Sequence, residues 1–79
     1  MLNVYVITGS TVDGHELLGA FVNWRKALKG LQYEAECLWG PEQQDHVTIE
    51  TIVPKRCAVA RCDTDDEFQS LTVTALYLH

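Results

Sequence analysis

The chain lacks most of the features that make a function easy to read. No apolar run approaches the roughly 18 residues of a membrane span, so no transmembrane helix is expected. The start, MLNVYVITG, shows no basic leader and no small-residue cleavage site after a long apolar stretch, so no signal peptide is expected. Cysteine is scarce and odd in number: Cys37, Cys57 and Cys62. A disulfide scaffold needs an even set and an oxidising compartment, so reduced thiols and a cytoplasmic protein are expected. Basic residues are few, six against eleven acidic, for a net charge of −5. That balance argues against direct nucleic-acid binding through phosphate neutralisation and permits a basic protein partner. Acidity also serves plain solubility.

What is present suffices for one domain. A content of 47% hydrophobic and 22% charged residues is far from the signature of disorder. Residues 1–79 are read as a single small domain. A chain of this size buries only about 60–65% of its unfolded surface, so its core is one thin layer.

Residues 2–8, rich in Val, Tyr and Ile, read as a strand. Asp13 and Glu16 resemble a capping box, and Leu17, Phe21, Trp24, Leu28 and Leu31 then recur at spacings of four and three, widened by Leu18 and Val22. This predicts a long amphipathic helix ending near Gly30, with Arg25, Lys26 and Lys29 at its C-terminal end, where cations suit the dipole. Tyr33–Trp39 and His46–Val53 alternate around the polar stretch 40–45, which predicts a hairpin. Cys57–Cys62 reads as a further strand. Thr64-Asp65-Asp66-Glu67 resembles a second capping box, while residues 71–78 alternate and are β-branched. A short helical turn near 65–70 followed by a strand is expected.

The fold class is therefore α+β: one long amphipathic helix on one face of a four- or five-stranded mixed or antiparallel sheet, in the order β-α-β-β-β-short helix-β. If the first two strands pair in parallel, the crossover through the helix is right-handed. A C-terminal helix in place of the last strand, or a ferredoxin-like βαββαβ arrangement, are the alternatives.

The stretch VITGSTVDGHELLG, strand then glycine turn then apparent helix, invites a phosphate-loop reading. The chemistry refuses it. His15 and Glu16 follow Gly14 where a Lys and a Ser or Thr are needed, and Glu16 would repel an anion. Gly9 and Gly14 also miss the dinucleotide fingerprint, leaving an ordinary strand-to-helix turn.

No metal or catalytic set stands out, and no cofactor is expected. Cys57 and Cys62 are separated by four residues with no second pair, and on a strand they point to opposite faces. Cys37 falls on the apolar side of its alternating segment, which predicts a buried, inert thiol. Asp63, Asp65, Asp66 and Glu67 lack EF-hand spacing and read as a solvated helix start.

The stretch 32–54 is more informative, since it contains no Lys or Arg. As a hairpin it would display an acidic ladder of Glu34, Glu36, Glu42, Asp45 and Glu50 around an exposed Leu38, with Ile52 beside it. Like charges across strands destabilise by a few tenths of a kcal/mol or more. Neutralisation by Lys55, Arg56 or Arg61 within the monomer is the competing account, and charges that deter edge aggregation are another. Carboxylates around apolar residues suit docking on a basic protein surface. The expectation is a small, non-enzymatic interaction module that inhibits or regulates a partner by occupying a basic, nucleic-acid-binding surface. Inhibitors from phages and mobile elements, anti-CRISPR proteins among them, are built to this plan, an analogy of type without matched residues. The alternative is a dimeric ligand-binding or regulatory domain, and a dispersed Cys–His enzyme is a third reading. Homodimerisation through the C-terminal strand fits the first two, because residues 71–78 are apolar on both faces.

Overall fold

The computed structural model describes residues 2–11, 14–65 and 69–78. Two strands open the chain, β1 (Leu2–Thr11) and β2 (Gly14–Phe21), followed by one helix, α1 (Trp24–Trp39). A short 3-10 helix (Pro41–His46) leads into β3 (Val47–Val53), β4 (Cys57–Cys62) and β5 (Ser70–Leu78). The five strands form one sheet in the order β2-β1-β5-β4-β3, and every neighbouring pair is antiparallel. Two tight hairpins and the returning β5 account for that order. The helix carries the chain from one sheet edge, β2, to the other, β3.

The α+β class with a single helix on a five-stranded sheet stands; the element order does not. Residues 14–21, expected in a helix, pair with β1 from Tyr5↔Phe21 to Thr11↔Gly14. Two glycines, Gly14 and Gly19, lie in that stretch, and each costs about 1 kcal/mol in a helix interior. The helix starts ten residues later. Asn23 is its N-cap, in extended conformation, and its side chain accepts from the backbone N–H of Arg25 at 2.8 Å and of Lys26 at 3.2 Å. The apolar stripe runs forward from Trp24 through Ala27, Leu31 and Ala35 rather than back to Leu17. Residues 33–39, expected as a strand, are therefore the second half of α1. Periods of 2 and 3.6 coincide over so short a window.

The expected hairpin over 32–54 and the parallel crossover are likewise absent, and β1 pairs only with antiparallel neighbours, β2 and β5. The C-terminal strand is present, which removes the C-terminal-helix alternative, and β4 stands where the βαββαβ arrangement needs its second helix. Of the expected turn near 65–70, residues 66–68 lie outside the described residues, and Ser70 already belongs to β5.

One face of the sheet packs under α1. Tyr5 and Ile7 of β1, Leu71 and Val73 of β5, and Ala58 and Ala60 of β4 form the core with Ala27, Leu31 and Ala35 of the helix. Alanines on both sides let helix and sheet approach closely. Trp24 closes the N-terminal end, its ring edge-on to Tyr5 with centroids 5.5 Å apart. Asn23→Ala should lower the unfolding free energy by about 1 kcal/mol, whereas Asn23→Asp should not. Urea denaturation of both variants measures this, and equal losses would mean that the cap bond carries no stability.

Candidate functional site

At the C-terminal half of α1 the chain crowds its acidic residues. Glu34 and Leu38 of the helix join Gly9, Glu16, Leu18, Cys37 and Leu71 around a groove of ≈ 180 Å³. The floor is apolar: Leu18 and Leu38 pack against the core, and Leu71 belongs to it. Gly9 lies there without a side chain, and a Cβ on it would meet Leu18 Cδ1 at 3.2 Å and Leu71 Cδ2 at 3.4 Å. Glu16 and Glu34 supply carboxylates to the same groove. On the far flank of the helix, Glu36 lines a depression of ≈ 420 Å³ with Gln32, Gln44, Val47 and Ile49. Glu42 and Asp45 are exposed on the 3-10 helix that follows.

Hydrogen bonds fix this end. The Gln44 side-chain amide donates to the Gly40 carbonyl at 2.9 Å and reaches that of Ala35 at 3.5 Å, closing the helix terminus. The Trp39 indole N–H donates to Asp65 at 2.7 Å, and the Thr64 hydroxyl donates to Gln43 at 2.7 Å. The Asp63 backbone N–H reaches the His46 carbonyl at 3.0 Å. These bonds tie the 3-10 helix and the chain after β4 to the helix end.

The helix carries its charges against its own dipole. Arg25 and Lys26 stand in its first turn and Lys29 in the second, all exposed, while Glu34 and Glu36 occupy the second half. No acidic residue lies in the first turn and no basic one in the last. A charge on the wrong end of a helix costs roughly 0.3–1 kcal/mol near the terminus. The dipole argument made for these cations from sequence is thus inverted, because the helix begins where it was expected to be ending. Tyr33 lies in the same half of the helix. A hydrogen bond with the Cys37 thiol, and then the charges of Cys37 and Glu34, push its phenol above the ordinary value.

No protein family, curated protein or solved structure matches this chain. The residues themselves must therefore carry the argument.

Of the six residues singled out in sequence, Glu34 and Leu38 share the apolar groove, Glu36 lies on the opposite flank of α1, and Glu42 and Asp45 are on the 3-10 helix that follows. Glu50 does not join them. It pairs with Val59, next to the Ile49↔Ala60 pair whose alanine is buried under the helix, so it faces away from α1. There it shares a depression with Thr48, Val59, Arg61 and Asp63. The cross-strand ladder is therefore absent, and Leu38 is half-buried against the core instead of exposed. Ile52 is exposed, at an irregularity of β3. Sequence reasoning missed Glu16, which it assigned to a helix cap. The two glycines flanking Glu16–Leu18 were the signal against that assignment.

The cysteines divide. Cys62 is buried, Cys57 half-buried on the opposite sheet face, and Cys37, expected to be buried, is exposed on the helix. All three are free thiols. Among the described residues no group of three His, Cys, Asp or Glu side chains could hold a metal ion, and no helix is long and apolar enough to cross a membrane.

Proposed function

We propose that this protein is a small docking module whose acidic end, Glu16, Glu34, Glu36, Glu42 and Asp45, occupies a basic surface on a partner protein. The observation that carries this reading is the reversed charge order of α1, set beside an apolar groove rimmed by Glu16 and Glu34. Charges that oppose a helix dipole cost stability, and an interaction elsewhere gives them a use. Lys and Arg combine an apolar stem with a cationic head, which suits an apolar floor between two carboxylates. Inhibition of a partner that holds nucleic acid follows from covering the basic surface it would use. The reading assigns no catalytic residue. A small-ligand site is less well supported, since the apolar groove of ≈ 180 Å³ falls below the roughly 300–1,000 Å³ of ordinary ligand pockets and the depression of ≈ 420 Å³ beside Glu36, though large enough, is lined by three polar side chains and only two apolar ones.

The test is a pull-down from lysate with mass spectrometry, then calorimetric titration of the purified partner against wild type and Glu34→Lys/Glu36→Lys. The double variant should bind at least about tenfold more weakly. Its melting temperature should hold or rise, because cations suit the C-terminal half of a helix. Wild-type binding should weaken as salt rises from about 0.1 M to about 1 M, shortening the Debye length from about 10 Å to about 3 Å. Affinity indifferent to both salt and charge reversal would overturn the reading.

A further inference from the structure

The helix covers one face of the sheet, and the strand register defines the other. Residues paired out of phase with the core, Val4 and Val6 of β1, Val59 of β4, and Thr72, Thr74 and Leu76 of β5, lie on the face away from α1. Leu76 is 47% exposed, and Leu17, opposite Thr8 at the β2 edge, is 67% exposed. The two central strands bring no charged side chain to this face, although 22% of the chain is charged. The charges it does carry among the described residues, Glu50, Arg61 and Asp63, lie toward the β3 side, at the rim of the face. A solvated sheet face ordinarily turns polar residues outward, and Thr8, Ser10, Ser70, Thr72 and Thr74 do so here; the departure is the absence of any charge along β1 and β5 and the apolar end at Val4, Val6 and Leu76.

From this we infer that a second copy of the chain covers the face, in a two-fold contact centred on β1 and β5. Charge selects the occupant. An isologous contact sets each patch against itself, so a patch of one sign would repel its copy. With a net charge of −5 and an acidic end at the helix C-terminus, the molecule can meet itself without repulsion through this neutral face. Depletion of charge at the centre is also the composition of interface cores.

The area is adequate. Five strands about 4.8 Å apart, each rising about 3.3 Å per residue, make a plane of roughly 600 Å² per copy. Stable interfaces bury about 600–1,000 Å² per partner, so the whole face, with its charged β3 side as rim, reaches the lower end of that range. Strand addition is a poorer route. Both edges of β5 are already paired, to β1 and β4, so this strand offers no free edge to a second chain. The edge strands β2 and β3 each take part in an irregular register, which blunts edge pairing.

Sedimentation of the wild-type chain from about 1 µM to about 200 µM should show monomer giving way to dimer. The dissociation constant should change less than about threefold between about 0.1 M and about 1 M salt, since neutral surfaces meet. Thr74→Lys, at an exposed site on this face, should weaken the dimer at least about tenfold by burying an unpaired ammonium, while Thr74→Val should keep it. Thr72→Lys gives an independent second variant, and circular dichroism checks that each folds. Three results would overturn the inference: a monomer at every concentration, a dimer dissolved by salt, or a dimer indifferent to both lysines. The outcome does not depend on the docking reading, which concerns the other side of the molecule.

Discussion

Leu31→Ala is expected to lower the unfolding free energy by about 3 kcal/mol, within the 2–5 kcal/mol typical of such truncations. Leu31 is fully buried at the middle of α1, and its neighbours along the buried stripe are Ala27 and Ala35. On the sheet below, Ala58 and Ala60 are equally buried. Alanines have no atoms to swing into the space that Leu31 would leave, so the cavity stays open. Domains are stable by only about 5–15 kcal/mol, and a chain this short belongs toward the lower end. At about 4–8 °C per kcal/mol, the melting temperature should fall by roughly 12–24 °C. Leu31→Met, which nearly conserves volume, should cost less than about 1.5 kcal/mol. Calorimetry on both variants decides the matter, and a loss below about 1 kcal/mol for the alanine would show that the core relaxes after all.

Gly30→Leu should do comparable or greater damage, for the opposite reason. Gly30 lies inside α1, where glycine costs about 1 kcal/mol against alanine. Its position explains that choice. A Cβ there would lie 2.6 Å from Phe21 Cζ, 2.8 Å from Phe21 Cε2 and 3.1 Å from Ile7 Cδ1. The Phe21 ring is seated against Gly19 as well, 3.3 Å from where that residue's Cβ would be, so two glycines frame it. Ile7 beneath is almost fully buried. Overpacking typically costs about 1–3 kcal/mol and occasionally more, and here the first carbon alone already collides, so a whole leucine should leave the chain largely unfolded at 37 °C. Gly30→Ala should lose about 1 kcal/mol net, the clash outweighing the gain in helix propensity. Adding Phe21→Leu should reverse the sign of that alanine effect, since the ring that blocks the Cβ is gone. If Gly30→Ala stabilises the unaltered protein, the ring gives way and the steric account fails.

These two residues show where local pattern stopped being informative. Gly30 was read as a helix terminator because glycine commonly follows a helix end. Its role is to admit a ring contributed by β2, a neighbour that no local window contains. Leu31 was placed on the helix stripe correctly, but at its end instead of its centre. The acidic residues behaved in a similar way. Glu34, Glu36, Glu42 and Asp45 were legible as a group from the missing Lys and Arg, yet their arrangement changed from a ladder across strands to a cluster around a helix end. Glu50, close in sequence, went to the other sheet face, because one strand residue more or fewer reverses the side.

By itself the sequence determined the α+β class and strands read at 2–8, 46–53, 57–62 and 71–78, each within a few residues of its place in the sheet and the last against a helical competitor. Alternation and β-branching act within a few residues, so they survive in any tertiary context. Tertiary structure alone decided the middle of the chain. Residues 14–39 carry one nearly continuous helical stripe, from Leu17 to Leu31 and on to Ala35 and Leu38, and nothing local says which part of it is helix. Pairing along β1 claimed residues 14–21, because backbone bonds to a neighbouring strand are worth more there than a helix interrupted by Gly19. The Asn23 cap then set the start of α1 and placed its cations at the N-terminal end and its carboxylates in the C-terminal half, Glu34 at the groove and Glu36 on the opposite flank.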